Sequence, residues 1–455
     1  MSRHRFQSDT VSYFPALPSG WREERLNDIV ELRTSNVDKK SEVGEKAVRL
    51  CNYVDVYKND KITMDLDFME ATATGAQIER FALRVGDVVI TKDSETPDDI
   101  GVPALIAATA LDLVCGYHLT ILRPDQNEVS GGYLFYAVAS RLSAYQFYLA
   151  ANGVTRFGLT YQGTKNLRIA LPSVIAQQQI AAYLDWKTAQ IEALIARKQE
   201  LLDKLNEERI AIIAQAVTKG LNPAAPMRDS GIPWLGQVPR HWQVKKLSRV
   251  TASRCDGPFG SGLKSEHYTD EGVRVVRLQN IEFAIFDDVD KAYIDPAYYR
   301  ELGDHDVYPG DLLVAGLGDT NNPVGRACRA PDNLGPAMVK ADCFRYRLES
   351  DKADSQFMAY QMSVTAMALS GALASGVTRP RMNLSLTSAR IFAFPPADEQ
   401  ITIAKYLDAE SEKFQRMTEK VNAAIARLTE YRTALITAAT TGKIDVRSIK
   451  LPAQA

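Results

Sequence analysis

The chain has 455 residues, of which 45% are apolar and 24% charged, with a formal net charge of −2. That balance excludes a disordered or low-complexity chain, calls for two to four compact units, and argues against coating nucleic acid by bulk charge while leaving room for a local basic face. Five scattered cysteines with no Cys-x-x-Cys pair, five unclustered histidines, a polar start and no long apolar run point to a soluble cytoplasmic protein without zinc, disulfides or membrane helices.

In chain order, the phrase Leu17-Pro18-x-x-Trp21 opens a mixed region. The runs "AVRLCNYVDVY", "GDVVIT" and "YHLTILRP" read as short strands between turn residues, and residues 132–151 as a helix. The loop "GVTR" follows at 153–156. After Pro172 the pattern predicts one helix of about 45 residues, roughly 65 Å long, closed by glycine in "AVTKG". A linker with Pro223 and Pro226 leads to a second mixed region. It reads "VRVVRLQNI", "GDLLVAG" and "CFRYRL", then a helix near 356–374, a second "GVTR" at 376–379, Pro395-Pro396, and a second long helix ending in "ATTG".

The two GVTR loops stand 376 − 153 = 223 residues apart, and their surroundings keep the shift. Gln177-x-x-Ile180 meets Gln400-x-x-Ile403, Tyr183-Leu184-Asp185 meets Tyr406-Leu407-Asp408, and Arg209 meets Arg432. Upstream the shift drifts, as loops of unequal length require: Gly86-Asp87 pairs with Gly310-Asp311, and Val48-Arg49-Leu50-x-Asn52 with Val276-Arg277-Leu278-x-Asn280. The chain is a tandem duplication with diverged halves. The expected fold is α+β, with a pseudo-twofold internal repeat. Mixed α/β domains span 1–173 and 222–396, each followed by a long helix, 174–221 and 397–445, and then a tail, 446–455.

A 3-4 spacing picks out Leu184, Ile191, Leu194, Leu201, Leu205 and Ile212 on the first long helix. It picks out Leu407, Phe414, Met417, Val421, Leu428 and Leu435 on the second. This is a coiled-coil seam, interrupted by Lys187, Lys198, Glu208 and Glu410. Two narrow stripes are satisfied if the helices pair as an antiparallel coiled coil; the alternative is that each packs only on its own domain.

No catalytic constellation is present. Gly257-x4-Gly262-Leu263-Lys264-Ser265 departs from a phosphate-binding loop by one inserted leucine, which moves the lysine away from the converging N–H groups. A turn carrying Ser261, Lys264 and Ser265 to a nucleic-acid backbone suits it better, with a plain structural turn as the alternative. "GDVVITK" can be forced into a nuclease pattern, but its repeat lacks the lysine and a buried strand explains both. Basic and amide residues gather near the repeated elements: Thr155, Arg156, Lys165 and Arg168 in one half, and Thr378, Arg379, Arg381 and Asn383 in the other. Arg49 and Asn52 match Arg277 and Asn280. Arginine and asparagine can each make two hydrogen bonds to guanine or adenine edges, while threonine and glycine suit close approach to phosphate. Surface arginine is common, so the alternative for each is an ordinary solvated side chain.

These phrases resemble the DNA specificity subunits of type I restriction–modification systems. "DSGIPWLGQVPRHW" (229–242) is similar to that family's entry to a recognition domain. "TSNVDKKSEVGEKAVRLCNYVDVY" (34–57) and "DGPFGSGLKSEHY" (256–268) resemble two of its recognition-domain types. "LPSVIAQQQIAAYLD" (171–185) and "FPPADEQITIAKYLD" (394–408) resemble its entry to the long helices. The first half departs at Ala176, where the second has Glu399, read as a helix-start feature whose loss leaves function intact; it also lacks the Asp-Ser-Gly-x-x-Trp-x-Gly phrase.

The resemblance implies two target recognition domains, each reading half of a split site in double-stranded DNA. Their centres would lie about one helical turn, ~10 bp, apart if both enter the groove from one side. It implies that the paired helices act as spacer and dock for two methyltransferase subunits, joined by restriction/translocase subunits. S-adenosylmethionine then belongs to the methyltransferase and ATP with Mg to the motor; this chain holds no cofactor and is not an enzyme. The rival is a coiled-coil scaffold that never touches DNA. Replacing Arg379 and Arg381 separates the two readings.

Overall fold

A computed structural model describes residues 12–14, 16–233, 235–319, 321–373, 380–449 and 451. The chain forms two compact units, Met1–Gln199 with Asn422–Ala455, and Glu200–Val421. Both boundaries fall inside the long helices, Val174–Lys219 and Ala397–Thr440.

In the first unit, Val30–Thr34, Leu119–Pro124, Val88–Thr91, Pro103–Ile106 and Lys61–Ile62 form one sheet in that order. Its central strand Val88–Thr91 is apolar and β-branched and buried along its whole length, as a strand covered on both faces must be. One face packs on a smaller sheet of Met69–Ala73, Lys46–Cys51 and Leu113–Cys115, through Leu50, Val89, Ile106 and Val114. The other face packs on the helix Gly131–Val138 and on the long-helix residues Ile180, Leu184, Ile191, Leu435, Ile436 and Ala439.

The second unit repeats the central order with Thr251–Cys255, Cys343–Leu348, Leu312–Ala315 and Ala327–Arg329. Its core gathers Trp242, Phe344, Tyr346, Phe357, Tyr360 and Phe392 against Ile213, Ala216, Val217, Ile403 and Leu407 of the long helices. The repeated Gly-Asp is a structural device in both units. Gly86 and Gly310 take φ of +92° and +85°, values that favour glycine. Asp87 then accepts from Arg84 N at 2.9 Å and from Arg123 Nε and Nη2 at 2.9 and 2.6 Å. Asp311 accepts from Tyr308 N at 2.8 Å and from Arg347 Nε and Nη2 at 3.0 and 2.9 Å.

The long helices pack against each other, antiparallel. In the first unit Tyr133 Oη donates near both Ala170 O (2.6 Å) and Thr440 O (3.1 Å), while Arg432 Nε reaches Glu192 at 3.2 Å. The chain thus ascends from 170 to 192 beside a descent from 440 to 432. In the second unit Gln361 Nε2 donates to Val217 O (2.6 Å) and Ala393 O (3.0 Å). A phenol and an amide therefore bridge equivalent pairs of carbonyls, since 393 − 170 and 440 − 217 are both 223.

The seam differs from the expected one. Leu184, Leu407, Ile191, Phe414 and Leu435 are buried, while Leu205, Ile212, Val421 and Leu428 are half-buried. Leu194, Leu201 and Met417 stand 46%, 43% and 40% exposed. An α-helix of 3.6 residues per turn drifts by roughly 20° per heptad from a 3.5-residue stripe, so a fixed 3-4 pattern rotates out of the contact. Burial instead concentrates at the ends, where Ile213, Ala216, Val217, Ile436 and Ala439 complete the cores of the units.

Candidate nucleic-acid interface

The repeated loop returns to the sheet through the same backbone frame in each unit. In the first, Leu159 N donates to Lys92 O at 2.7 Å, and Lys92 N to His118 O at 3.0 Å. In the second, Met382 N donates to Gly316 O at 2.8 Å, and Gly316 N to Asp342 O at 2.7 Å. Gly153 opens the first turn at φ +147°, where an added Cβ would lie 1.9 Å from Arg156 O. Glycine is required there by space as well as by conformation.

On the first frame, Arg156 Nη2 lies 2.7 Å from Asp93 Oδ1, and His118 Nδ1 lies 2.8 Å from the same oxygen. The carboxylate raises the Arg156 pKa. Lys92 Nζ sits 4.2 Å above the Tyr117 ring, and burial lowers its pKa. Tyr117 and Tyr53 meet the His118 ring edge-on, with centroids 4.5 and 5.5 Å away. Both tyrosines stay exposed and line, with Lys39, Asn52 and His118, an open cleft of about 550 Å³. Cations beside exposed aromatic faces can engage phosphate oxygens and base rings alike. Thr155 is exposed next to Arg156. Lys165 lies at the end of the short helix Tyr161–Lys165, its Nζ 4.6 Å above Tyr161.

On the second frame, Arg381 Nε and Nη2 each lie 2.8 Å from Asp342 Oδ1, with the guanidinium 5.7 Å from the exposed Phe259 ring. Asp256 accepts from Gly257 N (2.7 Å) and Asp342 N (3.1 Å); burial pushes its pKa up to about 6. Lys264 and Ser265 are exposed, with Lys264 Nζ 3.7 Å from Glu266. Gly257 offers no phosphate cradle, since a Cβ there would lie 2.0 Å from the Lys340 backbone. Asn383 caps Leu384–Ala389, accepting from Leu386 N at 2.8 Å. Ser261 lies in the turn Gly260–Gly262, its side chain outside the described residues, and Thr378 and Arg379 lie wholly outside them.

The repeated Arg-x-x-Asn residues serve the scaffold. Asn280 is fully buried; its Oδ1 accepts from Arg277 N, and its Nδ2 donates to Asp287 O and Asp290 O, each at 2.8 Å. It has no edge left for a base, which corrects the expectation for that residue. Asn52 Oδ1 is likewise occupied, capping Tyr53–Lys58 through Val54 N at 2.9 Å. Arg49 is held by Asp112 at 2.8 and 2.7 Å, and Arg277 by Asp290. Sequence reading missed Asp93, Tyr117, His118, Phe259 and Asp342. A usable signal was present: Lys92-Asp93 and Tyr117-His118 place polar or aromatic pairs at the ends of apolar strands.

Among the described residues no group of three or more His, Cys, Asp or Glu is placed to hold a metal, and no helix is long and apolar enough to cross a membrane.

Residues 18–203 match the type I restriction modification DNA specificity domain. The chain is 25% identical over 403 residues, covering 86% of it and 87% of the relative, to the type I restriction enzyme MjaX specificity subunit assigned in Methanocaldococcus jannaschii. It is 22% identical to the StySPI specificity subunit of Salmonella potsdam, over 95% of this chain and 90% of that one. In fold it is similar to a chain from a solved type I R-M system, with a TM-score of 0.69 and 17% identity, covering 94% of this chain and 100% of the other. Residues 18–203 thus carry a type I restriction modification DNA specificity domain, and the chain along most of its length is similar to specificity subunits of type I restriction enzymes.

Proposed function

We propose that this chain selects a split target in duplex DNA, each unit reading one half. It docks two methyltransferase subunits and, with them, restriction/translocase subunits. The chain performs no chemistry itself: S-adenosylmethionine belongs to the methyltransferase, and ATP with Mg to the motor. The observation that carries this reading is the duplicated frame. Each unit holds an exposed arginine beside this frame, on an aspartate whose position differs between the halves. A shared scaffold with different reading surfaces is what two unlike half-sites require. Electrostatic affinity grows with the number of phosphates neutralised; a chain of net charge −2 should therefore bind DNA weakly without its partners.

The test is a genome-wide map of methylated adenine with the gene intact and deleted, together with co-purification of the methyltransferase. Loss of one split motif on deletion supports the reading. An unchanged map from a strain in which the methyltransferase co-purifies and is active would overturn it and favour a protein scaffold.

A further inference from the structure

Resting on that reading, we propose that each unit recognises a guanine of its half-site through an arginine that a neighbouring aspartate holds in place: Arg156 by Asp93, and Arg381 by Asp342.

The internal repeat supplies the observation. If these ion pairs belonged to the scaffold, they would sit at equivalent positions, as Asp87–Arg123 and Asp311–Arg347 do. The two aspartates do not. With a shift of 223 to 224 residues, Asp93 corresponds to Leu317 and Asp342 to His118. Arg381 corresponds to Gly158, while Arg156 corresponds to Arg379, which lies outside the described residues. The acid has moved from the end of one strand to the start of another, and among the described residues each unit keeps an Arg–Asp pair on the same backbone frame.

The geometry suits base reading. Both guanidinium groups remain largely exposed, at 63% and 57% of their side-chain surface, while each aspartate is 20% exposed or less. A long exposed side chain ordinarily loses rotamer freedom on binding; one already held by a carboxylate loses less. Asp342 takes the Nε and Nη2 edge of Arg381, leaving Nη1 and the outer N–H of Nη2 as a fork. Asp93 takes only Nη2 of Arg156. A planar two-donor fork matches guanine O6 and N7 in the major groove, whereas adenine offers a donor at one of those places. The aspartates are positioning residues: they do not touch the base.

The chain in complex with its methyltransferase is allowed to select from duplexes with randomised half-sites, and the bound pool is sequenced. The expected pool carries a fixed guanine in each half. Arg156→Ala should flatten that one column, from a preference of about 10–100-fold to about one, leaving the other columns intact. Arg381→Ala should do the same in the other half. Asp93→Asn and Asp342→Asn should weaken the preference in the same columns several-fold without changing affinity for unrelated DNA. Should Arg156→Ala disturb the fold, Arg156→Lys keeps charge and length without the fork and should also flatten the column. Wild-type pools with sequence preference but no guanine would overturn the inference, as would arginine variants that weaken all sequences alike. Unaltered columns in the aspartate variants would overturn the positioning role. A wild-type complex with no sequence preference would instead bring down the DNA-recognition reading itself.

Discussion

The indole N–H of Trp242 donates to Glu399 Oε1 at 3.1 Å, and the same carboxylate meets His241 Nε2 at 2.8 Å. In the other unit the corresponding indole, Trp21 Nε1, is buried without a hydrogen-bond partner, and Ala176 stands where Glu399 does. The glutamate is therefore more than a helix-start residue: it ties the entry of the recognition domain to the first turn of its helix. Ala176→Glu should supply the missing acceptor and stabilise the first unit by about 1 kcal/mol. Calorimetry of the two proteins checks it, and an unchanged or lowered transition would refute the account.

Gln177 and Gln400 make matching sets of three hydrogen bonds. Gln177 donates to Glu128 O and Pro172 O, each at 2.9 Å, and accepts from Ser130 N at 2.8 Å. Gln400 donates to Lys352 O and Pro395 O at 3.0 and 2.9 Å, and accepts from Asp354 N at 2.8 Å. Both residues are fully buried. Replacing either with alanine strands three backbone groups, and a loss of about 2–4 kcal/mol is expected from the unit concerned. Thermal unfolding should show the lowered transition in that unit; equal lowering of both would contradict a local latch.

Asp87 and Arg123 form a buried pair, and removing one partner leaves the other charge uncompensated. Asp87→Ala should therefore cost about 3–5 kcal/mol. Its effect should be on the thermal transition, with the preferred DNA sequence of the surviving folded protein unchanged. A relaxed preference without loss of stability would move Asp87 to the reading surface.

Asp256 carries the clearest pH dependence. Burial holds its pKa near 6 against an ordinary 3.8, with Asp342 opposing ionisation and Arg381 favouring it. A raised carboxylate pKa means that the folded state binds the proton more tightly. The penalty is fully present above about pH 6 and fades as pH falls through that value toward 3.8. Asp256→Asn keeps an oxygen for Gly257 N and Asp342 N and removes the charge. Its melting temperature should exceed wild type at pH 8, with the gain shrinking toward pH 4; a pH-independent difference would count against this origin.

The duplication and the class of fold were legible because structural residues recur: Gln177 with Gln400, Asp87 with Asp311, and Asp185 with Asp408, which accepts from Tyr360 as Asp185 does from Tyr136. The same recurrence also marks polar residues that only hold the scaffold. Arg49, Asn52, Arg277 and Asn280 repeat because both units need those caps and pairs. The ion pair beside the first loop is assembled from separate strands. Asp93, His118 and Arg156 are brought together by folding, and no local pattern announces a pair whose members lie 63 residues apart. The seam was legible only near the helix ends, because a heptad pattern says nothing of where a straight helix turns its stripe away.

The core of the first unit includes Leu435, Ile436 and Ala439, and its Tyr133 hydroxyl lies against Thr440 O. Those residues are synthesised only after the whole of the second unit's sheet. At roughly 5–20 residues per second, a ribosome needs on the order of 10–50 seconds to travel from the end of the first recognition domain to this stretch. During that interval the nascent first domain exposes an apolar seat for a helix that does not yet exist. The domain translated first must wait for the second to be made before its own core is complete.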